Sequence, residues 1–237
     1  MDNNSLILSL DTSHLRGSSA VSNGLELLSS VFFNASDTHS ATLLPAVDAS
    51  LSMAGADLED IEDFAIVIGP GSFTGLRIGL STIKAFASIR GRPVYTVSSL
   101  ELLAAAFPYS SLQVASLVDA RRNQVYFGLY DTTSGNPRQL IQPMAVAPDR
   151  IPGLISAETG SGRTVLCGTG ALRYLDVLES DKLIFSGEDR VFPSASFIPG
   201  MLEGSEPVGF DRLPGLEPLY IRPPDAKPSV KLMNKRG

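Results

Sequence analysis

The chain has 237 residues, 43% of them hydrophobic and 19% charged, with a formal net charge of −6. That length and apolar content suit one large domain or two small ones with real cores, and argue against long disordered tracts. The acidic balance argues against a body that grips nucleic acid alone, which needs a basic face. Cys167 is the only cysteine, so no internal disulfide can form, and a free thiol suits a reducing compartment. The first residues lack a basic n-region, and no run of about 18 apolar residues occurs, so a soluble cytoplasmic protein is expected.

Residues 6–10 form a short apolar run that breaks at Asp11-Thr12-Ser13, which predicts a buried strand ending in a polar turn. Two strand-like runs follow, with Asn23-Gly24 between them as a hairpin signal. Over residues 40–54 the spacing becomes helical, with Leu43, Val47 and Leu51 four apart, Leu44 beside them and Pro45 in the tolerant first turn. Residues 64–68 read "FAIVI", a strand without alternation and therefore buried on both faces. A second helix is expected over 75–89, striped by Leu76, Leu80, Ile83 and Ala87 and closed by Gly91. A fifth strand spans 93–97, and a third helix spans 98–106 with Ser98 or Ser99 as cap.

A second strand-rich stretch begins at Leu112. "LQVASLVDA" and "QVYFGLYD" predict two strands, and "TVLCGTGALRYLDVL" predicts a strand, a glycine turn and a short helix. The order of the first half recurs only loosely here. Two related lobes are expected, with a boundary near Phe107-Pro108. From Pro207 onward the chain is rich in proline and reads as irregular.

The stretch "GPGSFTGLRIGL" joins the fourth strand to the second helix. A P-loop would need a lysine and a hydroxyl directly after its last glycine, but Gly75 is followed by Leu76 and Arg77. Two readings stay open. Free N–H groups at the helix start could hold an anion, or the glycines could serve a tight turn and close packing, which the residues favour. The turn at Asp11, Thr12 and Ser13 has the same two readings, phosphate or metal contact against local capping, and capping is favoured. Asp119 with Arg121 and Arg122 reads first as a charged turn between strands. Cys167 reads as a buried, inert thiol.

"DTS" after the first strand, "HSATLLP" opening the first helix and "GPGSFTGLRIGL" before the second occur in that order. Together they resemble the TsaB (YeaZ) family, whose members serve the bacterial machinery that makes threonylcarbamoyladenosine in tRNA. "SLVDARRNQVYFGLY" and "PLYIRPPDAK" extend the resemblance into the second half. It implies an ASKHA-type α/β fold, two RNase H-like lobes of mixed sheet flanked by helices. The expected divisions are 1–107, 108–206 and a proline-rich, partly basic tail at 207–237.

The resemblance also implies a non-catalytic scaffold. The family's catalytic paralogue, TsaD, carries two metal-binding histidines after its fifth strand. Ser99 and Leu103 stand there in this chain, and its only histidines, His14 and His39, lie in other segments. No catalytic residue, metal or cofactor is therefore expected. The expected partners are a TsaD-like subunit, a TsaE-like ATPase in the full complex, tRNA only through that complex, and a second copy of the chain when it is alone. The two helices spread apolar residues over more than one face, which suits a contact surface. Its candidate residues are His39, Leu43, Leu44, Val47, Leu51, Leu76, Leu80, Ile83 and Ala87. Asp11, Thr12, Ser13, Gly69, Gly71, Ser72 and Thr74 are candidates for a vestigial nucleotide site. The alternative is a weak ASKHA ATPase acting on its own. Finally, residues 222–237 hold five basic residues (Arg222, Lys227, Lys231, Lys235 and Arg236) against Asp225, a local charge of +4 that leaves −10 on the rest. That end reads as a solubilising tail or as a weak phosphate contact.

Overall fold

The computed structural model describes residues 5–35, 39–160 and 162–222. The first lobe runs β1 (Leu6–Asp11), β2 (Arg16–Asn23), β3 (Glu26–Asn34), α1 (His39–Ala54), β4 (Asp63–Gly69), α2 (Phe73–Arg90) and β5 (Val94–Ser98). After α3 (Ser99–Ala105) come β6 (Gln113–Asp119), β7 (Val125–Asp131), β8 (Arg138–Val146), α4 (Ile151–Thr159), β9 (Thr164–Cys167), α5 (Thr169–Arg173), β10 (Leu183–Phe185) and α6 (Ile198–Met201).

Each lobe holds a five-stranded sheet, ordered β3-β2-β1-β4-β5 in the first and β10-β9-β6-β7-β8 in the second. Read from the other edge, the second order is β8-β7-β6-β9-β10, the first lobe's topology strand for strand. In both, three antiparallel strands lead into two parallel ones. The repeat is therefore close in topology although it is loose in sequence. Strands β8 and β10 and helices α4 and α6 lie outside the expected elements. Pro143 inside β8 and the pair Pro152-Gly153 at the start of α4 disrupt the periodicity by which such elements are found.

Local chemistry accounts for the first lobe's boundaries. Gly24 turns the β2–β3 hairpin at φ 54°. Ser72 caps α2 by accepting the Gly75 amide at 3.2 Å, and Gly91 ends it in the left-handed region at φ 63°. Ser98 caps α3, accepting the Leu100 amide at 3.3 Å. α1 packs across β2 and β3. Its Ser50 hydroxyl meets that of Ser19 at 2.7 Å, and its carbonyl accepts from Ser29 at 2.6 Å.

One face of the first sheet is covered by α1 and α2. Leu43, Val47 and Leu51 join Leu80, Ile83 and Ala87 over Leu8, Leu10, Phe64 and Ile66 in one buried cluster. The other face is covered by a segment distant in sequence, with Ala195, Ile198 and Leu202 packed on Ile7, Ala65, Val67 and Val97. Val94 and Val208 then exchange two backbone hydrogen bonds, and Leu213 enters the first cluster. The chain thus returns to the first lobe from residue 195. A division at residue 206 would cut through that packing, so the expected range of 108–206 is corrected: its last part belongs to the first core.

The basic end lies outside the described residues from 223 onward. Arg222, counted with it above, is docked on the second lobe. It donates to Gln124 Oε1 at 3.0 Å and to the Ala120 carbonyl at 3.4 Å.

The interlobe cleft as candidate functional site

Strand β1 ends at the base of the cleft with Asp11, Thr12 and Ser13, all fully buried. Asp11 Oδ1 accepts the Ser13 amide at 2.8 Å, and the Ser13 hydroxyl pairs with His14 Nδ1 at 2.7 Å. The end of β6 repeats this turn. Asp119 Oδ1 accepts the Arg121 amide at 2.9 Å, and Asp119 Oδ2 lies 3.4 Å from Arg173 Nη1. The Asp119 amide donates to Thr169 at 3.0 Å. Residues 121–123 then run through the left-handed region, at φ 58°, 52° and 56°. This folds the loop so that Asp119 and Arg121 line the cleft, rather than serving only as a surface turn.

The glycine loop is pressed onto the end of β1. The Ser72 amide donates to the Ser13 carbonyl at 2.7 Å. A Cβ on Gly71 would stand 2.2 Å from that carbonyl oxygen, and one on Gly79 would stand 2.1 Å from Thr12 Oγ1. Two amides that an anion would need, those of Ser72 and Gly75, are thus spent within the protein. This geometry supports the packing reading of the loop.

Burial pushes the Asp11 carboxyl up to about 6, although the Ser13 hydroxyl and amide pull it down. Burial lowers His14 to about 4. The two act oppositely on stability. The raised Asp11 contributes fully below its unfolded value near 3.8 and loses that contribution as pH rises through 6. The lowered His14 contributes fully above 6.5 and loses it as pH falls through 4. Between those limits they offset each other. The Asp11→Asn variant exposes the His14 dependence alone. Its stability relative to wild type should rise by about 3 kcal/mol from pH 4 to pH 7, measured by urea unfolding at several pH values. A difference independent of pH would refute the burial of a titrating carboxyl there.

The cleft encloses about 830 Å³ between the two lobes. Its rim carries aromatic and cationic groups that the sequence reading missed. Phe73 and Tyr220 have ring centroids 5.7 Å apart, and the Arg77 guanidinium lies 3.8 Å over the Phe73 ring. Arg77 Nε also reaches the Tyr220 hydroxyl at 3.4 Å. Phe192 lines the cleft with the Arg16 guanidinium 4.8 Å from its centroid. Phe73 and Arg77 sit four apart at an exposed helix start, which is a legible signal. Tyr220 and Phe192 come from remote segments and had none.

The expected contact residues separate into two groups. Leu43, Val47, Leu51, Leu76, Leu80, Ile83 and Ala87 are at most 7% exposed, so they are core and form no docking surface. This corrects the expectation, for the sheet beneath them consumes both apolar stripes. Leu44 is 49% exposed and faces solvent. His39 opens α1, and its side chain lies outside the described residues. Ser99 is buried and its hydroxyl donates to the Pro70 carbonyl at 2.5 Å, while Leu103 packs with Leu100, Val114 and Tyr130. Among the described residues, no three His, Cys, Asp or Glu side chains gather as a metal site. Cys167 is buried, which pushes its thiol up to about 12.

Two lobes of one topology, facing each other across a cleft at the ends of their first strands, define an ASKHA-type protein. A family model described as "TsaD: tRNA N6-adenosine threonylcarbamoyltransferase" matches residues 33–190. The tRNA threonylcarbamoyladenosine biosynthesis protein TsaB of Bacillus subtilis is 33% identical over 135 residues, covering 57% of this chain and 59% of that protein. The TsaB of Haemophilus influenzae is 28% identical, covering 78% and 80%. The solved YeaZ of Pseudomonas aeruginosa superposes with a TM-score of 0.77 at 27% identity, covering 91% of this chain and 99% of that one. The chain belongs to the TsaB (YeaZ) family, within the wider group that the TsaD model describes.

Proposed function

We propose that the chain is a non-catalytic subunit of a cytoplasmic complex that transfers threonylcarbamoyl to an adenosine of tRNA, and that it acts by binding a TsaD-like catalytic subunit. The observation that carries this reading is at the end of β5. Ser99 and Leu103, where the resemblance places the paralogue's histidines, are committed to holding the glycine loop and to the core. Neither is offered to a ligand in the cleft. No helix among the described residues is long and apolar enough to cross a membrane.

The partner surface is the outward side of the two helices, not their buried stripes. Ala41, Leu44, Pro45 and Asp48 are exposed on α1, and Ser81 and Ala85 are exposed on α2. The same surface serves a second copy when the chain is alone, and a TsaE-like ATPase joins the assembled complex. Leu44→Asp tests this. A carboxylate pressed into an apolar contact without a partner costs several kcal/mol, so co-purification with the TsaD-like subunit should fall by about a hundredfold. The circular dichroism and melting temperature of the free variant should match wild type. Recovery at wild-type yield would move the interface elsewhere, and no recovery with the wild-type chain would sink the proposal.

A further inference from the structure

We propose that the mouth of the interlobe cleft contacts RNA directly, holding a single-stranded stretch by its phosphates and bases. The inference rests on the reading above, that the chain serves a complex acting on tRNA. The chain is acidic overall, at −6, but its charge is unevenly placed. Arg121 and Arg222 line the cleft. Arg16 and Arg77 stack on the lining rings of Phe192 and Phe73. Among the described residues that line the cleft, the one carboxylate is Asp119, and Arg173 lies against it. Asp11 is fully buried behind the turn. The rim is thus strongly cationic on an acidic body, which complements a polyanion.

The form of the cations narrows the ligand further. A guanidinium laid over a ring keeps its full charge and presents a second flat face. Bases stack on such faces, and phosphates accept from their edges. The rim has two of these stacks, Phe73–Arg77 and Phe192–Arg16, and Phe73 is 45% exposed. Deeper in, the Ser72 amide is spent on Ser13 and the Gly75 amide on Ser72, which removes donors that the phosphates of a free nucleotide would need. The arrangement therefore favours a strand passing over the mouth rather than a mononucleotide seated inside. Such a contact is weak alone and adds to the affinity of an assembled complex.

The test uses the purified full chain without any partner subunit, so its failure is distinct from failure of the co-purification above. Anisotropy of a labelled single-stranded oligoribonucleotide is followed against salt. At about 50 mM salt the dissociation constant should be on the order of 10⁻⁵ to 10⁻⁴ M, and the log–log salt slope about −2, as three phosphate contacts on a single strand give. Arg77→Glu combined with Arg121→Glu should weaken binding at least about tenfold and flatten the slope by about 1.4. Phe73→Ala should weaken it with the slope unchanged, since stacking releases no counterions. Circular dichroism checks that each variant is folded. No association of the wild type at about 50 mM salt, or variants that bind like wild type, would overturn the proposal. Displacement of the RNA by equimolar ATP would make the cleft a mononucleotide site instead, and equal displacement by polyglutamate would reduce the rim to a general polyanion surface.

Discussion

Ile83→Asp and Leu80→Asp are expected to unfold the first lobe, not merely to detach a partner from it. Ile83 is fully buried and Leu80 is 4% exposed. Both pack in the cluster that holds Leu8, Leu10, Phe64 and Ile66, so they join α2 to the two central strands. Each substitution removes about 2 kcal/mol of apolar burial and leaves either a buried carboxylate without a partner or a lobe opened to hydrate it. The sum, about 5 kcal/mol or more, rivals the whole stability of a domain of this size. The variants should accumulate as insoluble protein, or show no cooperative melt. The contrast is Leu44→Asp on the solvent side of α1, which should melt within a few degrees of wild type. A soluble Ile83→Asp variant with a normal melt would contradict the packing of α2 described above.

The second large effect is at the glycine loop. Gly71→Ala places a methyl group 2.2 Å from the Ser13 carbonyl oxygen, a backbone atom that the Ser72 amide already holds at 2.7 Å. The loop must lift from β1 to make room, breaking that hydrogen bond and loosening the start of α2. A cost of about 3 kcal/mol is expected. Gly79→Ala meets Thr12 Oγ1 at 2.1 Å, and there a side chain can turn aside, so about 1–2 kcal/mol is expected. Gly153→Ala in α4 meets nothing within 4 Å and should stabilise by about 0.5–1 kcal/mol. Urea unfolding of the three variants measures all three values. If Gly71→Ala proves neutral, the loop is not seated on β1.

The elements of the first lobe were legible because their signals are local. An unbroken apolar run with no polar face, residues 64–68, has to lie in the middle of a sheet, and β4 does, between β1 and β5. Asn23-Gly24 made a hairpin because glycine enters the left-handed region without a Cβ clash, and Ser98 capped α3 because its hydroxyl lies within reach of the next turn's amides. The motifs that mark the family are equally short, each lying within one turn or helix end, so they could be recognised in a single chain.

What covers an apolar stripe is a different kind of fact. The pattern of Leu76, Leu80, Ile83 and Ala87 states that this side of α2 leaves water, but not whether a strand of the same chain or a separate protein receives it. The chain itself supplies that cover, with β1 and β4 beneath the helix, and only the return of residues 195–213 to the first lobe completes the packing on both faces. The cleft was hidden for the same reason. Arg77 and Tyr220 are 143 positions apart, and Asp11 and Asp119 end two strands whose likeness lies in topology rather than in sequence. Periodicity reports only on neighbours within a turn or two of chain. A cleft is assembled from side chains that meet because two lobes fold and one segment crosses back, and those distances exist only in the tertiary structure.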